Sequence, residues 1–181
     1  MLWEFLTKSS YLQDQNRVLH FSPARVLEKK LLKNPSIKYQ SADIDPLMAM
    51  EVVDIMNIKY QSNLFDVIIC SHVLSVVKED LVAIEELYRV LKKNGTLIFL
   101  EHIYQDYEKT YEDFSLKSGH ERMKAYGKHY LMRCYGKDLS ERFLKRGFSS
   151  EVYNITDHLT SEKIKKHGLQ NSGVVFLFKK T

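Results

Sequence analysis

The 181-residue sequence contains no Gly-x-Gly-x-x-Gly motif, so it lacks the loop through which a dinucleotide-binding domain brings its backbone up to a pyrophosphate. That absence argues against a nicotinamide-dependent oxidoreductase. Cysteine is equally sparse: Cys70 and Cys134 are the only two, they lie far apart, and neither belongs to a Cys-x-x-Cys pair. Reduced thiols are expected, with no thiolate metal site. The histidines at 102, 120 and 129 show neither His-x-x-x-His nor His-Glu-x-x-His spacing, so no metal is expected there either. No apolar run approaches the roughly 18 residues that a membrane-spanning helix requires. The opening MLWEFLTKSS has no basic segment followed by an apolar stretch and a small-residue cleavage site. A soluble, cytoplasmic protein is the expectation.

An excess of positive charge is also missing from most of the chain. The formal net charge is +4, yet residues 1–160 carry 22 Lys and Arg against 22 Asp and Glu, and residues 161–181 carry five against one. A basic stripe for nucleic acid is therefore not expected. Lys163, Lys165, Lys166, Lys179 and Lys180 read instead as a solvated helix face and a charged strand end that discourages edge pairing.

The length is that of one domain and the 44% hydrophobic content suffices for one core. Residues 63–95, NLFDVIICSHVLSVVKEDLVAIEELYRVLKKNG, organise it. Positions 65–70 are apolar and β-branched after Asp66, which predicts a strand buried on both faces. Leu81, Ile84, Leu87, Tyr88 and Leu91 then recur at helical spacing, with Asn94-Gly95 as the expected stop. A second buried run follows at 96–100. Strand, helix and strand in so short a span make a right-handed parallel βαβ unit. Ligands of such sheets sit beyond the carboxyl ends of the strands, which nominates Ser71, His72, Val73, Glu101 and His102.

FDVIICSHVL followed by ELYRVLKKNGTLIFLE resembles the second half of the class I S-adenosylmethionine-dependent methyltransferase core. There a strand ending in His-Val-Leu is followed by a helix ending in Tyr-Arg-Val-Leu-Lys-x-Gly. The likeness is specific over 63–101 and looser over nearly the whole chain. It implies a Rossmann-like α/β fold, with helices on both faces of a seven-stranded, mostly parallel sheet whose last strand is antiparallel. It also implies S-adenosyl-L-methionine as cofactor and a small-molecule methyl acceptor as partner.

Earlier in the chain, a first strand at 17–21 leads into LHFSPA, similar to a Leu-His-Phe-Ala-Pro-Glu first loop found in a subgroup of these enzymes. Ser22 is expected to cap a helix that begins at Pro23 and to leave amide donors facing the ligand. His20, Phe21 and Ser22 thus become cofactor candidates, while Ala24 stands where the subgroup has an acid. A capped strand-to-helix turn is the plain alternative. A second strand ends at Asp43, about 20 residues on, where a carboxylate accepts from both hydroxyls of a ribose. Asp43 and Ile44 are assigned there with Asp45 as understudy, although Asp-Ile-Asp-Pro also reads simply as a turn. A third strand is expected at 51–55. By the resemblance, Asp54 accepts from the adenine amine and the amide of Ile55 donates to the ring; otherwise Asp54 caps the following turn. Where relatives carry His-Val-Leu-Glu-His, this chain has His72-Val73-Leu74-Ser75-Val76: the turn is kept and the Glu-His pair is lost.

Residues 102–136 hold six of the eleven tyrosines and read as an insertion covering the acceptor. The alternative is a pair of helices whose aromatic residues pack on the sheet. His129, His102 and Tyr130 are the candidate bases, needed only if the acceptor is a hydroxyl or a protonated amine. A sugar or another small hydroxylated acceptor is favoured, because some resembling proteins belong to surface-polysaccharide pathways. A helix over 139–146, a strand over 148–156, a polar helical segment leading to Gly173, and a last strand over 174–180 complete one methyltransferase-like domain spanning 1–181. The rival reading is a non-catalytic module that binds cofactor, product or a protein. The oligomeric state is left open.

Overall fold

A computed structural model of the protein describes residues 2–158, 160–166 and 174–181. Gly173, expected to precede the last strand, lies outside these residues, as do the side chains of Lys163 and Lys166. The chain begins with helix α1 (Leu2–Lys8), then strand β1 (Asn16–Phe21), α2 (Arg25–Leu32), β2 (Ile37–Asp43) and the two-residue β3 (Glu51–Val52). Next come β4 (Phe65–Ser71), α3 (Asp80–Val90) and β5 (Leu91–Leu100). A separate pair, β6 (Tyr111–Glu112) and β7 (Arg133–Cys134), brackets α4 (Gly119–Tyr126). Helix α5 (Leu139–Leu144), strand β8 (Phe148–Asn154), α6 (Ser161–Lys166) and β9 (Val174–Lys180) finish the chain.

Seven strands form one sheet in the order β3-β2-β1-β4-β5-β9-β8. β1, β2, β3, β4 and β5 pair in parallel, and β9 runs antiparallel to both β5 and β8. The Rossmann-like architecture read from the sequence is therefore present. The strand order reverses between β1 and β4, which opens a crevice beyond their carboxyl ends.

Alternation along the strands divides the core. Leu19, Ile68, Cys70, Leu97, Phe99 and Phe178 face α3 and α5 on one side; Val18, Val67, Ile69, Ile98 and Leu177 face α1 and α2 on the other. Phe143 of α5 stacks on Phe178 at 3.8 Å between centroids. Each such fully buried ring is worth about 1.5–3 kcal/mol.

Helix α1 covers one face of the sheet, where Phe5 and Leu6 pack with Val18, Val67 and Ile98. Three local expectations are corrected. Ser22 does not cap α2: it adopts φ 49, and Ala24 occupies the cap position without a side-chain bond. The third strand is only two residues long, and Asp54 instead forms an isolated bridge with Asn57. Helix α3 ends at Val90, short of Asn94-Gly95. Leu91 turns extended and pairs with Phe65, while Asn63 and Leu64 amides take the carbonyls of Arg89 and Val90. Gly95 is needed for a different reason, since a Cβ there would lie 2.8 Å from the Lys92 carbonyl oxygen.

Lys180 also departs from its expected role. β9 is an interior strand, so there is no edge for Lys179 and Lys180 to protect. The Lys180 ammonium donates to the carbonyls of Tyr88 (2.7 Å) and Leu91 (2.9 Å) and lies 4.5 Å from the centre of the Tyr88 ring. A cation at the negative end of α3 is favourably placed. Among the described residues no helix is long and apolar enough to cross a membrane.

Candidate functional site

Two adjoining cavities lie beyond the carboxyl ends of the central strands. The first, about 310 Å³, is lined by Phe21, Ser22, Asp43, Ile44, Asp54, Ile55, His72 and Val73, with Val76, Val77 and Lys78 among its other walls. Eight of the ten cofactor candidates thus meet in one cleft. The other two do not. Ser71 lines neither cavity. His20 is buried on the α2 side of the sheet, its Nδ1 3.0 Å from the Tyr39 hydroxyl, and burial pulls its pKa down to about 4.

Each strand end shapes its part of the cleft by continuing the sheet past its last residue. Ser22 donates its amide to Ala42 and His72 donates to Leu100, both at 2.9 Å, and both residues sit in the left-handed region with φ 49 and 56. Such a conformation costs a non-glycine residue on the order of 1–3 kcal/mol and is held only where the surroundings fix it. It turns the chain away from the sheet at β1 and at β4, which keeps the crevice open.

The two carboxylates are partly committed. Asp43 Oδ1 accepts from the Asp45 amide (2.9 Å) and Asp54 Oδ1 from the Met56 amide (2.8 Å). Both plain readings, a turn and a cap, are therefore present, and both side chains still line the cleft with their second oxygen free of hydrogen bonds from the described residues. Asp45 is spent on the Leu47 amide (2.9 Å) and does not line the cleft. The loop that follows Asp54 is fixed by the Tyr-Arg segment of α3. Glu86 accepts from the Ile58 amide (2.7 Å), and Arg89 donates to the carbonyls of Ile58 (2.6 Å) and Tyr60 (2.8 Å).

The second cavity, about 350 Å³, shares His72 and Val76 with the first and is closed by the 102–136 stretch. His102 and Tyr130 line it; His129 does not, and lies exposed with its ring against Tyr130 at 5.2 Å. Ser75, Glu101, Tyr104, Lys128, Arg133 and Tyr135 complete the polar walls. The stretch holds one eight-residue helix, started by a Ser118–Glu121 capping box. Its tyrosines pack mainly on one another: Tyr104 stacks on Tyr107 (5.6 Å), which meets Tyr111 (6.3 Å), which meets Tyr126 (5.5 Å).

Sequence reasoning missed what holds this stretch down. Arg133 is completely buried, and its guanidinium donates to Glu112 (2.9 Å) and to the carbonyls of Leu74, Val77 and Lys78. Beside it, the Tyr135 hydroxyl and Arg142 both donate to Asp80, at 2.6 and 2.8 Å. The insertion is thereby tied to the 74–78 loop that walls both cavities. Nothing in the local spacing marks Arg133, a charged residue in an irregular stretch. Gly136 permits the closure at its base, since a Cβ there would lie 2.6 Å from the Tyr107 carbonyl oxygen. Among the described residues no three metal-ligating side chains converge.

Comparison with known proteins shows what the chain and its fold resemble. Residues 16–99 match a family model described as a methyltransferase domain. An S-adenosylmethionine dependent methyltransferase from Mesorhizobium loti shares the fold with a TM-score of 0.70 at 13% identity, over 99% of this chain and 97% of that one. Phosphoethanolamine N-methyltransferase 2 of Haemonchus contortus, solved in complex with S-adenosyl-L-methionine, gives a TM-score of 0.63 at 13% identity, over 98% of this chain and 51% of its own. A curated Dictyostelium discoideum protein, probable polyketide synthase 26, is 35% identical over 80 residues, 42% of this chain. That match spans 3% of the synthase's length.

Proposed function

From a class I S-adenosylmethionine-dependent methyltransferase fold whose residues 16–99 match a methyltransferase domain, we propose that the protein binds S-adenosyl-L-methionine in the first cavity and methylates a small hydroxylated acceptor in the second. One observation carries the reading. Asp43, at the end of β2, and Asp54, in the turn after β3, both line the cleft at the sheet's switch point, and each keeps a carboxylate oxygen free of hydrogen bonds from the described residues. Ribose hydroxyls and an adenine amine are donors and need such acceptors. Phe21 and Ser22 take the side of the amino-acid end, where Ala24 supplies no acid for the ammonium. When bound, the cofactor supplies a methyl group activated by a sulfonium, which an acceptor displaces in line. The chain's own contribution is alignment and the exclusion of water. Residues 102–136 serve as the acceptor cover within a single domain, and His102 and Tyr130, which share the acceptor cavity, are its hydroxylated-substrate contacts.

Calorimetry with S-adenosylhomocysteine tests this. Micromolar binding is expected for the wild type and loss of binding for Asp43→Ala. No binding at millimolar ligand to folded protein removes the enzyme reading. It leaves the second reading, a methyltransferase-like module without catalysis, which Ser75-Val76 in place of Glu-His favours. Binding without any turnover across hydroxylated acceptors also points to that module.

A further inference from the structure

We propose that His72, oriented by Glu101, is the proton acceptor of the methyl-transfer site, in the place given by sequence to His129, His102 or Tyr130; the inference rests on the methyltransferase reading above. Among the described residues His72 is the one imidazole that lines both cavities, so it stands where donor and acceptor must meet. His102 lines only the outer cavity and His129 neither.

The orientation follows from Glu101. Its side chain is 3% exposed, and its carboxylate is ringed by donors: the His102 amide at 3.1 Å, His72 Nδ1 at 3.2 Å and the Ser75 amide at 3.3 Å. An ionised carboxylate only accepts hydrogen bonds, so the proton of a neutral His72 sits on Nδ1 and the lone pair on Nε2. The His72 ring is 64% exposed, and Nε2 has no protein partner among the described residues. Its backbone is fixed by the left-handed φ of 56 and the bond to Leu100. A general base needs a free lone pair, a fixed ring and an anion that stabilises the protonated form. His72 has all three.

The charged and titratable groups around it are Glu101 and His102 after β5, Tyr104, Lys128 and Tyr130 before β7, Arg133 in β7 and Tyr135 after it, and Asp43, Asp54 and Lys78 on the donor side. The hydrogen bond to Glu101 raises the His72 pKa above the ordinary imidazole value, against partial burial and the Lys128 ammonium, which lower it. In the step, the acceptor oxygen or nitrogen forms its bond to the methyl carbon, with the electron pair of the broken carbon–sulfur bond left on sulfur. The acceptor's proton passes to His72 Nε2. The imidazolium stays paired with Glu101 until it releases that proton to water.

NMR titration of the histidine side chains in the labelled full chain tests the dyad without needing the acceptor. His72 is expected to titrate above the ordinary imidazole value, and Glu101→Gln is expected to move it down. With ligand bound, His72 should titrate lower with S-adenosylmethionine than with S-adenosylhomocysteine, because only the former carries the sulfonium charge. Ligands that bind while His72 stays unmoved by both the charge and Glu101→Gln overturn the dyad and leave the methyltransferase reading intact. Failure of either ligand to bind overturns both. With catechol and glucose as hydroxylated probes, any turnover should fall at least tenfold in His72→Gln with KM preserved, and turnover indifferent to that change also overturns the proposal.

Discussion

At the scale of single residues, the same side chain type is set to opposite tasks by its surroundings. His72 is open and paired with a carboxylate; His20, 1% exposed, has only the Tyr39 hydroxyl, and burial holds its pKa at about 4. His20 is a depressed group, so the unfolded chain takes up its proton at a higher pH than the native one. Its contribution to stability is complete above about pH 6.5 and is lost as pH falls from there to about 4, a swing of up to about 3 kcal/mol. Urea denaturation at pH 7 and pH 5 is expected to show a smaller loss on acidification in His20→Gln than in the wild type. His72 acts in the other direction. Its raised pKa gives a stabilisation that is present at low pH and fades as pH rises through the native value, and its exposure keeps that term small.

At the scale of elements, the decisive joint lies between the 102–136 stretch and the loop after β4. Arg133 supplies three carbonyl bonds and two acidic contacts from a fully buried position. Replacing it with Met leaves Glu112 without its closest partner and strands the Leu74, Val77 and Lys78 carbonyls. Breaking one side of a buried pair costs about 3–5 kcal/mol. Arg133→Met is therefore expected to lower the urea midpoint accordingly. If the joint serves the acceptor side, the same variant should retain S-adenosylhomocysteine binding, read by calorimetry in the folded population. Helix α3 is the second controlled element. Asn63, Leu64 and Lys180 take its last carbonyls, so its end is set by partners distant in sequence. This explains why the Asn-Gly signal placed that end too late: a helix stops where its carbonyls find other donors, and the sequence does not reveal a lysine 92 residues away.

For the whole molecule, ligand binding and folding are linked, because the cleft is made by the ends of β1, β2 and β4 together with the turn after β3, and exists only in the native sheet. A ligand at 100 times its Kd stabilises the native state by about 2.7 kcal/mol. At about 2–4 °C per kcal/mol for a chain of this size, S-adenosylhomocysteine is expected to raise Tm by roughly 5–10 °C in the wild type. In Asp43→Ala the rise should disappear while the ligand-free Tm stays close, since Asp43 forms only a local turn bond. A nicotinamide nucleotide should give no rise.

By itself the sequence determined the central βαβ unit, and its likeness to a methyltransferase core implied the rest of the sheet. Continuous apolar runs and one amphipathic helix report burial, and burial is a local property of each side chain. It also determined which residues end the strands, and so gathered eight of ten cofactor candidates into the cleft. Only the tertiary structure decided what those residues touch. The His72–Glu101 pair joins positions 29 apart, and Arg133 reaches back more than 50 residues. The sign of φ at Ser22 and His72 depends on bonds to neighbouring strands. The sequence reading took Lys180 for a strand end that protects an edge, but β9 lies inside the sheet and the ammonium caps a helix. Contacts of this kind follow from chain geometry over long separations, where hydrophobic periodicity carries no information.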